Sequence, residues 1–73
     1  MGKTVTQRVQ ELGEEYFSST GRQPTQLLMN QEDFKAYKHE NAIPEDRQFH
    51  HLSAHIKGKK VDLLETTGEL ELI

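Results

Sequence analysis

Apolar residues recur along the first part of the chain at helical spacing. Val5, Val9, Leu12 and Tyr16 follow at steps of four, three and four residues, which places them on one face of a helix, and Phe17 widens the stripe. Thr4 with Gln7 makes a capping box ahead of them, while Gly21 offers a left-handed cap and Pro24 keeps the helix from resuming. The pattern predicts a helix over about Val5–Ser19. Gly13 lies four residues after Val9 on the buried flank, where a missing side chain lets the helix approach a sheet closely, at about 1 kcal/mol of lost helix propensity.

After Pro24 the run Leu27-Leu28-Met29 is apolar without alternation, which predicts a short strand that is covered on both sides or sits at a junction. Asn30 is the N-cap of a following helix with Asp33 at its third position, and Met29 and Phe34 make a hydrophobic staple across the cap. That helix runs from Gln31 to about Lys38 or His39 and turns Phe34 and Tyr37 inward. From Glu40 to Gln48 the chain is polar, with Asn41, Pro44 and Asp46 favouring a loop anchored by Ile43. A loop of that length in a small domain is either mobile or used.

The remainder alternates. Leu52, Ala54 and Ile56 interleave with His51, Ser53 and His55; a turn centres on Gly58-Lys59; Val61 and Leu63 alternate; Thr67-Gly68 turns the chain again; and Leu70 and Leu72 interleave with Glu69 and Glu71. Two-residue hairpins would pair Ile56 with Val61, Ala54 with Leu63 and Leu63 with Leu72, gathering these side chains on one face. The expected fold is α+β in the order α-β-α-β-β-β. Two helices pack on one face of a small, mainly antiparallel sheet ending in a three-stranded meander, with residues 1–73 forming a single domain.

The same register sets the opposite face. His55 falls opposite Asp62, Ser53 opposite Leu64, and Leu64 and Ile73 lie diagonally on neighbouring strands. Isolated surface leucine and isoleucine residues are ordinary, but two on a face that should meet water also read as a contact patch. His55, Asp62, Leu64 and Ile73 are therefore the candidate contact residues for a protein partner or for self-association. A protonated His55 beside Asp62 would form an exposed cross-strand ion pair worth well under about 1 kcal/mol.

Composition narrows the function classes. The 73 residues contain no cysteine, so neither a disulfide framework nor a thiolate metal site staples the domain, and association becomes a natural route to stability. Nine basic against twelve acidic residues give a formal charge of -3, opposite to the field that a phosphate-binding protein needs. The basic concentration Lys57-Gly58-Lys59-Lys60 falls at a hairpin tip and carries the alternative reading, a nucleic-acid-associated regulatory factor. No apolar run reaches the length of a membrane span, and Met1-Gly2-Lys3-Thr4 precedes no apolar h-region, so the expectation is a cytoplasmic protein without a membrane partner. Gly2 with Thr6 is a low-specificity match to an acylation start.

Chemistry is not demanded by any constellation. The four histidines are at positions 39, 50, 51 and 55. On a strand, His51 and His55 lie about 13 Å apart at roughly 3.3 Å per residue, too far to share a zinc at its ~2.1 Å ligand distance. Glu14-Glu15, Glu32-Asp33 and the Glu69 and Glu71 pair are explained by helix solvation, a helix N-terminus and strand alternation. No serine or threonine stands in a nucleophile elbow, and no small-molecule ligand, cofactor or metal is indicated, so the expected class is non-enzymatic.

The segment from Gly21 to Ile73 resembles the axial domain of tailed-phage major capsid proteins. The resemblance is carried by Gly21, Pro24, Thr25, Leu27, Leu28, Met29, Asn30 and Phe34, followed by Gly58 and Val61. Lys59-Lys60 departs from the apolar or proline residue usual after that glycine, and the spine helix, peripheral domain and extended loop of a capsid subunit have no room in 73 residues. What the resemblance implies is a small phage-derived, prophage or mobile-element protein that repeats the axial-domain core. It would act through protein contact, as an accessory virion or regulatory factor, and not by forming a shell.

Overall fold

Local capping sets the helix boundaries. In the computed structural model, which describes residues 2–73, the Thr4 hydroxyl accepts from the Gln7 N–H at 3.1 Å and Gln7 Oε1 accepts from the Thr4 N–H at 2.9 Å. Met1, with its part in the acylation-like start, lies outside the described residues. The reciprocal cap opens α1, Val5–Thr20, and Gly21 closes it at φ 69° with its N–H donating to Phe17 O. After β1, Gln26–Met29, the Asn30 side chain accepts from the Asp33 N–H at 2.8 Å and opens α2, Gln31–Glu40. A short 3-10 turn, Phe49–His51, then leads into β2, Ser53–Ile56, β3, Lys59–Glu65, and β4, Glu71–Leu72.

The result is α+β, with two helices and a four-stranded mixed sheet in the order β2-β3-β1-β4. β2 runs antiparallel to β3 and β4 antiparallel to β1, while β1 and β3 are parallel. The expected Leu63–Leu72 pairing is corrected here: β1 enters between β3 and β4, so Leu63 and Leu72 each face Leu27. Both edges of β1 are thereby paired. Leu27 and Met29 are fully buried at 0 % exposure on the helix side, whereas Leu28 is only half-buried on the other face, so the strand expected to be covered on both sides is covered on one.

The β2–β3 register is also corrected. Lys57 and Gly58, not Gly58 and Lys59, form the turn, with φ of 53° and 79°. Two consecutive left-handed residues make the type I′ turn whose twist suits a hairpin, and the second position is where glycine is most at home. Ile56 therefore pairs with Lys59, Ala54 with Val61, His55 with Lys60 and Ser53 with Asp62. The slip along β3 is two residues, an even number, so every side chain keeps its expected face.

Ala54, Ile56, Val61, Leu63, Leu27, Met29 and Leu72 point to the helix side and meet Val5, Val9, Phe34 and Phe49 in one core. A Cβ built on Gly13 would overlap Ile56 Cγ2, so the absent side chain sets how closely α1 lies on β2. Residues 41–48 are tied down. The buried Lys38 ammonium donates to Glu45 O at 2.7 Å and Arg47 O at 3.2 Å and sits 4.5 Å from the centre of the Phe34 ring, which stacks on Phe49 at 3.8 Å. From the end of α2, the Glu40 carboxylate accepts from the Val5 N–H at 3.0 Å, the Thr6 N–H at 2.9 Å and the Thr6 hydroxyl at 2.8 Å, capping α1 from across the fold.

Candidate contact surface

Alternation along the strands leaves the other face of the sheet without a helix over it among the described residues. On β3, Val61 and Leu63 are buried while Asp62 and Leu64 are exposed; on β2, Ala54 and Ile56 are buried while His55 is exposed. The four residues expected to form the patch do share this face. Their arrangement differs from the expected one.

His55 and Asp62 are not cross-strand partners. The register places His55 opposite Lys60 and Asp62 between Ser53 and Gln26, and among the described residues the ion pairs are Lys3–Glu11 at 2.7 Å and Arg8–Asp33 at 3.4 Å. The expected pair required the turn at Gly58-Lys59, and the turn lies one residue earlier. Ser53 likewise meets Asp62 instead of Leu64.

Leu64 and Ile73 are not on neighbouring strands either, because β1 separates them. What joins them is Leu28. It stands beside Leu64 in the parallel β1–β3 register, and beyond it Ile73 pairs with Gln26, its N–H donating to Gln26 O at 3.0 Å and its C=O accepting from the Gln26 N–H at 3.2 Å. Ile73 therefore lies diagonal to Leu28, and three apolar side chains form one patch in which Leu64 is 39 % and Ile73 49 % exposed. The sequence reading missed Leu28 as a surface residue. Its signal was the lack of alternation in Leu27-Leu28-Met29, which puts an apolar side chain on both faces of β1.

Charge of both signs lies on this face. Lys60 stands at the β2–β3 hairpin end with Asp62 the next outward residue on β3, and Glu71 on β4 flanks Leu28 at the corner diagonally opposite Lys60. Elsewhere, His51 Nδ1 accepts from the Gln48 N–H at 3.1 Å and caps the 3-10 turn, and its ring lies 4.1 Å from that of His50. Among the described residues no three His, Asp, Glu or Cys side chains converge on a point that could hold a metal. No helix among them is long and apolar enough to cross a membrane. No family model matches the chain, and neither a curated protein nor a solved structure does.

Proposed function

We propose that the chain works by protein contact and not by catalysis, associating with a second copy of itself through the bare face of its sheet, as a small accessory or regulatory factor of phage or mobile-element type. The observation that carries this reading is the Leu28, Leu64 and Ile73 patch on a face that no helix among the described residues covers. The placement of Lys60 and Glu71 at opposite corners supports a second copy as occupant. Two sheets laid face to face with strands crossed, a common way for sheets to pack, bring the Lys60 corner of each toward the Glu71 corner of the other. The phage-type origin is supported by the resemblance of the Gly21–Ile73 segment to capsid axial domains.

Light scattering over a concentration series tests the association. The expected result is a mass that rises toward twice that of the chain, returns to a single chain in Leu64→Glu, falls in Lys60→Glu and recovers in Lys60→Glu with Glu71→Lys. A mass of one chain at every concentration at low salt, or an unchanged dimer in Leu64→Glu, would remove this face as the contact.

A further inference from the structure

The two edges of the sheet are finished differently. On β2 a side chain covers the outward carbonyl: Gln10 Nε2 donates to His55 O at 3.3 Å. Blunting of this kind keeps an edge from recruiting another strand. Among the described residues no side chain donates to or accepts from the β4 backbone in this way. Its bonds to β1 run through Ile73 and Gln26, and the Leu27–Leu72 pair next to them is of the kind that exchanges no hydrogen bond. Leu72 therefore turns its N–H and C=O away from β1, and among the described residues neither has a partner.

Beside that bare backbone runs a groove of about 260 Å³ between α1 and β4. Its apolar wall is Leu12, Tyr16, Leu70 and Leu72, with Leu12 and Tyr16 half-buried on α1. Glu15 and Glu71 stand on its rim, and the adjoining depression adds Glu69 together with Glu11, which is paired with Lys3 at 2.7 Å. Arg8, also in that depression, is paired with Asp33 at 3.4 Å, which leaves the rim acidic.

We infer that the β4 edge and this groove are a docking site for an extended basic segment of another protein, which adds beside β4 as a further strand. The backbone of the segment bonds Leu72, alternate apolar side chains enter the groove, and its lysine or arginine residues meet the glutamate rim. This site adjoins the bare sheet face and shares Glu71 with it, but it does not depend on association through that face. Main-chain bonds supply the attachment, apolar pockets the register, and the acidic rim the choice of a basic sequence.

The test is a titration of the isotope-labelled full chain with acetyl-Lys-Val-Arg-Val-Lys-amide, read by amide chemical shifts and hydrogen exchange. Saturation is expected to shift the Leu72 amide and slow its exchange. Glu15→Lys with Glu69→Lys, two exposed changes that turn attraction into repulsion, should weaken binding by about tenfold. The same peptide N-methylated at its three central residues should not bind, and Leu64→Glu should leave binding unchanged, which separates this site from the sheet face. Absence of any shift, shifts confined to Leu28 and Leu64, or equal binding of the N-methylated peptide would each overturn the inference.

Discussion

Replacing Gly13 with alanine sets two known effects against each other at one atom. In a helix interior alanine is favoured over glycine by about 1 kcal/mol, so propensity alone makes Gly13→Ala stabilising. The new Cβ, however, would overlap Ile56 Cγ2, and Ile56 has 0 % exposure. That methyl hangs directly from the Ile56 Cβ on a strand paired to β3, so it moves only by leaving its rotamer or by shifting the strand. Overpacking of this kind costs about 1 to 3 kcal/mol, and a stiff β-branched neighbour places it in the upper half of that range. The net expectation is a loss of about 1 to 2 kcal/mol, or about 4 to 16 °C in melting temperature for a domain of this size. Urea denaturation followed by circular dichroism measures it, with Ser18→Ala on the exposed side of the same helix as a control that should gain a few tenths of a kcal/mol, on the order of its propensity difference. Gly13→Ala equal to or more stable than the parent would refute the close approach of α1 to β2.

Three further perturbations probe the ties between elements. Burial pushes the Glu40 carboxyl upward, but bonds from the Thr6 N–H, the Thr6 hydroxyl and the Val5 N–H outweigh it and hold the group below its ordinary value of 4.5. Its stabilisation is therefore present above the unfolded value and lost as pH falls through the folded one. Glu40→Gln should cost a few tenths to about 1 kcal/mol at neutral pH, toward the low end for a helix cap because water screens this exposed carboxylate, and almost nothing in strong acid, as urea midpoints at the two pH values will show. Lys38→Met removes the ammonium bonded to Glu45 O and Arg47 O, and should cost about 1.5 to 3 kcal/mol and speed amide exchange across residues 41–48; unchanged exchange there would mean that the lysine does not hold the loop. At the hairpin, Lys57→Asn suits the left-handed backbone at φ 53° and should stabilise by about 0.5 kcal/mol, whereas Gly58→Ala at φ 79° should destabilise by about 1 to 2 kcal/mol. Thermal melts of the two variants shifting in the same direction would contradict the type I′ turn.

Much of the candidate surface was legible for a specific reason. Strand alternation assigns faces, and faces survive an even slip in register, so Leu64, Ile73, His55 and Asp62 were placed on the outer face despite a misplaced turn. Partners do not survive such a slip. His55 lost Asp62 and met Lys60 because one residue of turn position decides which atoms lie across the strand.

The chain's own sequence determined the elements that depend on near neighbours: the Thr4–Gln7 box, the Gly21 cap, the Asn30 cap and the open flank at Gly13. Each is a contact made within a few residues or a side chain that is missing, and short-range chemistry specifies both. Only the tertiary structure decided that β1 lies between β3 and β4, that Leu28 completes the apolar patch, and that β2 is covered at its edge while β4, among the described residues, is bare. Those outcomes depend on which strand best satisfies both edges of Leu27 and Met29, a competition among segments far apart in the chain that no local pattern records.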